Sequence, residues 1–171
     1  AAKRSLRLRA TNTLLPARVG SRHGTMAVAL TIRPWLVSLR GDLPTRTHEE
    51  VTRAAKHLLD RGVKQVLVKL GSEGSLLIAN TPQSCSCCAA PEPTVLTQPA
   101  IPAPEVVDTT GAGDTFTAAF AVATLQGLGA QEAMEFAAAA ASLCVQKYGA
   151  QPSLPSLEDT TAWLAQWKNS A

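Results

Sequence analysis

Val106-Val107-Asp108-Thr109-Thr110-Gly111-Ala112-Gly113-Asp114-Thr115-Phe116 is the stretch on which the reading of this chain turns. Two small apolar residues end what reads as a strand, a Gly-Ala-Gly turn follows, and Asp114 stands at the mouth of a long Ala-rich helical run. With no large side chain at 111–113, backbone N–H groups can converge on an anion. The helix start adds its own unpaired N–H groups and the positive end of its dipole. A carboxylate beside an anion hole suits phosphoryl transfer, in which charge must be held and a hydroxyl aimed. Taken as Gly-x-Gly alone, the same stretch would be a plain strand–turn–helix with Asp114 as a helix N-terminal acid.

Upstream the pattern is regular. Thr47 is placed to cap a helix, with Glu49 and Glu50 in its first turn and Val51, Ala54, Ala55, Leu58 and Leu59 at the i, i+3, i+4 spacing of one apolar face. Arg61-Gly62 is its stop. Residues 63–70 read as a strand, Gly71-Ser72-Glu73-Gly74 as a turn, and residues 75–79 as a second strand. Six prolines between 82 and 104 exclude a regular helix there, with room for a short strand at 94–97. Downstream, helices are expected over 115–125, 130–147 and 157–167, the first two parted by Gly127 and Gly129. Trp163, Leu164 and Trp167 are expected to pack inward.

Bulk composition narrows the class. The 171 residues suffice for one core, and 46% hydrophobic against 4% aromatic residues makes that core mostly Ala, Leu and Val, as in packed α/β layers. No apolar run is long enough to span a bilayer. The net charge of +3 is unevenly spread: residues 1–40 hold eight Lys/Arg and no acid, whereas residues 41–171 hold eight Lys/Arg against thirteen Asp/Glu. The basic excess therefore belongs to an N-terminal arm and is no signal for nucleic acid. That arm reads either as a transit peptide for plastid or mitochondrion or as the ragged start of a truncated gene product; without targeting, the expectation is cytoplasmic. A weak strand is expected within 25–35. Cys85, Cys87 and Cys88 crowd one loop while Cys144 lies in a helical pattern, which is not a disulfide framework. The Cys-x-Cys-Cys run is either an ordinary loop or a soft-metal ligand set without a second pair nearby.

The string Asp-Thr-Thr-Gly-Ala-Gly-Asp-Thr-Phe resembles the C-terminal signature of the ribokinase-like (PfkB) carbohydrate kinases. Lys69-Leu70-Gly71-Ser72-Glu73-Gly74 is similar to the family's nucleotide-bordering turn, and Gly149-Ala150-Gln151-Pro152-Ser153-Leu154-Pro155 resembles the ribokinases more than the fructokinases or adenosine kinases. The resemblance covers about 43–164, the C-terminal half of such an enzyme. It implies a three-layer, Rossmann-like α/β sheet with flanking helices, truncated on its N-terminal side.

By that resemblance Asp114 is the catalytic base that takes a proton from a sugar hydroxyl, with D-ribose favoured, and Gly111, Ala112 and Gly113 form the anion hole. Lys69 to Gly74, with Gly113, would bind ATP. A monovalent cation, usually K+, would be held by Asp108, Thr110, Cys144, Gly149 and Ser153, through side-chain oxygens of Asp108 and Ser153 and carbonyls of the others. Mg2+ would arrive with ATP, and the full-length family suggests a homodimer. Ala138 departs from the family, which often places a polar residue near the adenine. The family's Gly-Gly motif, most sugar contacts, lid strands and Asn-x-x-Glu element have no counterpart here, so the chain alone is expected to turn over little or no sugar, or to be an inactive nucleotide-binding module.

Overall fold

The computed structural model describes residues 16–17, 26–32, 47–80 and 93–170. In chain order its elements are β1 (Pro16–Ala17), β2 (Met26–Ile32), α1 (His48–Asp60), β3 (Gln65–Lys69), a short 3-10 turn (Gly71–Glu73), β4 (Ser75–Ala79), β5 (Thr94–Gln98), α2 (Ala112–Leu125), α3 (Ala130–Cys144) and α4 (Leu157–Ser170). The strands form one sheet in the order β1-β2-β3-β4-β5. β2 and β3 are parallel, joined across α1, and β3, β4 and β5 run antiparallel to one another. β2 falls where the arm was expected to hold a strand; residues 1–9 and Cys85, Cys87 and Cys88 lie outside the described residues.

The sheet is covered on both faces, which makes three layers. Alternation along β3 and β4 assigns the faces: Val66, Val68, Leu76 and Ile78 pack with Val51, Ala54, Ala55, Leu58 and Leu59 of α1, and Leu67 and Leu77 pack with Phe116, Phe120, Met134 and Ala137 of α2 and α3. This is why β3 and β4 read as unbroken apolar runs rather than as alternating strands. The Ala run of α3 is buried from Ala137 to Ala140, so α3 lies close along α2. Ala138 is part of that core. Trp163, Leu164 and Trp167 of α4 pack half-buried against it, and the Trp163 indole N–H donates to Ser142 Oγ at 3.2 Å.

Local signals set the ends of the elements. α1 starts in a reciprocal capping box, with Glu50 N–H donating to Thr47 Oγ1 at 3.3 Å and Thr47 N–H to Glu50 Oε2 at 3.1 Å. α3 begins with Gly129 N–H donating to Glu132 Oε2 at 3.0 Å. One expectation fails: Val106 and Val107 do not end a strand but stand exposed in an extended segment outside the sheet. Pro99, Pro102 and Pro104 supply no N–H to a ladder, and the amides of Val107 and Asp108 instead both donate to Val145 O, at 2.8 and 3.2 Å. The segment is thereby hung on the end of α3.

Candidate functional site

The glycine corner sits at the start of α2. Gly111 has φ +82°, the left-handed region, and precedes the helix as its cap with no side chain to satisfy the first-turn amides. The Ala112 N–H closes a turn on Thr109 O at 3.3 Å, so it is already engaged. Gly113 and Asp114 are exposed, in the first turn of α2, where free N–H groups and the helix dipole favour an anion. The next two side chains, Thr115 and Phe116, are buried and anchor the corner to the core.

Asp108 organises the backbone on the other side of that corner. One carboxylate oxygen accepts the Thr110 hydroxyl at 2.6 Å and the Thr110 N–H at 2.9 Å, and the other accepts the Gly149 N–H at 2.9 Å. The Thr110 hydroxyl is the main cause, followed by the two amides, that holds the Asp108 carboxyl below its ordinary value, with a small opposing push from desolvation. Below it lies a buried polar knot. The Cys144 thiol lies 3.1 Å from Ser153 Oγ and 3.9 Å from Thr110 O and receives the Thr115 hydroxyl at 3.3 Å, and Ser153 Oγ donates to Ala150 O at 2.8 Å. Asp108, Thr110, Cys144, Gly149 and Ser153 are thus brought together from three separate segments. A carboxylate offers about four lone-pair positions and three are used here, which leaves one for a cation. The Thr110 carbonyl and the Ser153 hydroxyl, both against the Cys144 thiol, are further hard oxygens of the kind an alkali cation takes. The thiol is the soft exception.

The turn after β3 is built for two different purposes. Leu70 is buried in the core against α1, and its N–H donates to Gly74 O at 2.8 Å. Ser72 and Glu73 are exposed, and Glu73 lies 3.6 Å from His48 at the start of α1. Gly71 has φ +67° with open space where a Cβ would stand. Gly74 is needed by the fold instead: with φ +97°, a Cβ there would lie 2.1 Å from Gln98 O and 2.8 Å from the backbone of Pro99 and Ala100. Lys69 does not stay with the turn. Its Nζ donates to Gly113 O and to Thr117 Oγ1, both at 3.0 Å. Burial pushes the Lys69 ammonium below its ordinary value, and the nearby Asp114 charge pulls it partly back. Lys69 thus ties the end of β3 to the corner, 44 residues further along the chain. Sequence reading missed Thr117, although a Thr four residues after Gly113 in a helix is placed to bond the Gly113 carbonyl, as it does at 2.9 Å. It also missed the Val145 carbonyl, a backbone group that leaves no mark in residue type.

A groove between α3 and α4, lined by Lys147, Pro155, Asp159, Trp163 and Gln166, reaches this site only through Ser153. Among the described residues no helix is long and apolar enough to cross a membrane, and no three His, Cys, Asp or Glu side chains converge as a metal cluster.

A family model described as pfkB family carbohydrate kinase matches residues 35–157. The chain belongs to that family. It is 52% identical over 113 residues to the ribokinase of Arabidopsis thaliana, a match covering 66% of this chain and 27% of that protein. Its identity to the ribokinase of Lactococcus lactis is 35% over 113 residues, covering 66% and 33%. The solved structure of Arabidopsis thaliana ribokinase complexed with ribose and ATP superposes with a TM-score of 0.71 at 46% identity, over 80% of this chain and 40% of that one. The three-layer arrangement is therefore the ribokinase-like α/β fold, and the chain spans about a third or less of the length of these two curated relatives.

Proposed function

We propose that this chain is the nucleotide- and phosphoryl-handling part of an ATP-dependent sugar kinase of ribokinase type. The observation that carries the reading is the exposed Asp114 carboxylate in the first turn of α2, beside the Gly111–Gly113 corner and within the field of Lys69. Asp114 takes the proton from the attacking sugar hydroxyl. The amides of the cap and first turn hold the transferred phosphoryl group, those of Gly111 and Gly113 more directly than that of Ala112, which closes a turn. Gly71 and Ser72 border the nucleotide, and Gly74 shapes the turn from within. D-ribose is the favoured acceptor because the two curated relatives named above are ribokinases.

Asp108, Thr110 and Ser153, with the carbonyls of Cys144 and Gly149, would hold K+ beside the corner, where it adds fixed positive charge next to the phosphates. Mg2+ would come with ATP, held mostly by phosphate oxygens and water, and would supply neutralisation of phosphate charge.

A second reading, binding without turnover, is favoured by the 27% to 33% of those relatives' length that the chain spans. Calorimetry with ATP and Mg2+, followed by a ribose phosphorylation assay on the purified 171 residues, separates the two. Binding with no turnover supports the second reading. Turnover that disappears in Asp114→Asn establishes the first for this chain alone. No binding of ATP at all defeats both.

A further inference from the structure

Lys69 ends β3, and its side chain runs beneath the start of α2 rather than out along the turn that follows it. Its ammonium donates to Gly113 O at 3.0 Å, a carbonyl that also receives the Thr117 hydroxyl at 2.9 Å. A Cβ at position 113 would come to 3.4 Å from Lys69 Nζ, so the ammonium stands close on the side that glycine leaves bare. A cation at a helix N-terminus faces a field of its own sign, and this one is also partly removed from water. Both effects work against folding. A methionine would fill the same space without either. What the ammonium adds is a fixed donor under the Gly113 carbonyl and positive charge behind the place where a phosphate would rest.

We propose that Lys69 is a positioning residue that acts from behind the phosphate corner: its ammonium, bonded to the Gly113 carbonyl and the Thr117 hydroxyl, fixes the first turn of α2 before nucleotide arrives. This rests on the nucleotide reading of the corner, and it differs from the resemblance, which puts Lys69 in the turn that borders ATP. The groups involved are Lys69 from β3 and Gly113, Asp114 and Thr117 from α2; the hydrogen bonds of Asp108 go to Thr110 and Gly149.

The test has two arms on the full chain. In the first, ATP with Mg2+ is titrated calorimetrically into the wild type, Lys69→Arg and Lys69→Met. Lys69→Met is expected to weaken binding about tenfold, the scale of one charge-assisted hydrogen bond, with Lys69→Arg staying within about threefold of wild type. Equal affinity in all three, or equal losses in both variants, overturns the proposal. Should Lys69→Met not fold, Lys69→Gln replaces it, keeping a donor for Gly113 O without the charge. In the second arm the Lys69 ammonium is titrated by NMR at its Cε. Asp114→Asn is expected to lower its midpoint further, because the carboxylate that raises it is gone. An unmoved midpoint overturns the placement of the ammonium at the start of α2. Failure of the wild type to bind ATP defeats the nucleotide reading, while the second arm still decides whether the Lys69 ammonium sits at the start of α2.

Discussion

The Asp108 carboxylate accepts the Gly149 N–H at 2.9 Å across 41 residues of chain, and through it the loop after α3 is fastened to the corner before α2. The Thr110 hydroxyl and N–H complete the set and hold the Asp108 carboxyl below its ordinary value of 3.8. A carboxyl whose folded value is depressed stabilises the fold at every pH above its unfolded value, and that contribution fades as pH falls through the folded one. Thermal melts between pH 7 and pH 2 should therefore show a loss below about pH 4 that is smaller in Asp108→Asn. At pH 7 Asp108→Asn should melt below wild type. Identical acid profiles for the two proteins would show that the carboxylate does not bind these donors.

The two glycines of the β3–β4 turn should answer alanine very differently. At Gly74 the new Cβ would stand 2.1 Å from Gln98 O, so β5 must move or the turn must open. Gly74→Ala is expected to lose more than about 3 kcal/mol, enough to leave the protein largely insoluble. Gly71, with φ +67° and nothing within 4 Å, bears only the left-handed backbone cost, about 1 kcal/mol. Chemical denaturation of both variants checks the ranking; equal losses would mean that β5 does not lie against Gly74.

What the sequence made legible follows from how local each signal is. Thr47, Glu50 and the apolar spacing of α1 act within four residues, and the helix stands where they place it. The Gly-Ala-Gly corner is equally local, because a left-handed Gly111 and a bare helix start are properties of the string itself. Val106 and Val107 misled because β-branched residues read as strand wherever they fall, while the partner that decides their fate is the carbonyl of Val145, which has no side-chain signature. Gly74 looked like a ligand-facing glycine and is shaped by β5 instead, a contact between segments 24 residues apart. The reach of Lys69 under α2 depends on strand register and on the face each side chain takes, and neither is visible before the sheet is assembled.

Cys144 is 0% exposed, with its thiol held between Thr115, Ser153 and the Thr110 carbonyl. Alkylation is a reaction of the solvent-reached thiolate. Iodoacetamide followed by peptide mapping should leave Cys144 unmodified in the native protein and modify it fully in denaturant. Rapid native labelling at Cys144 would mean that the polar knot below the corner opens readily.

Gly111 tests the corner most directly, because its two demands can be separated. Its φ of +82° carries the left-handed cost, and a Cβ would press on Ala150 at 3.1 Å from that residue's own Cβ. Gly111→Ala should therefore lower stability by about 1–2 kcal/mol. Ala150→Gly in the same chain removes the nearest atom but leaves the residue 150 Cα at 3.2 Å, so it should recover part of the steric cost and none of the backbone cost. If the first-turn amides of α2 receive a phosphate, the remaining backbone distortion should still weaken binding of ATP with Mg2+ in the double variant, measured by calorimetry well below its melting temperature. Full ATP affinity in Gly111→Ala with reduced stability would make the left-handed corner a folding device only, and would move the phosphate site elsewhere.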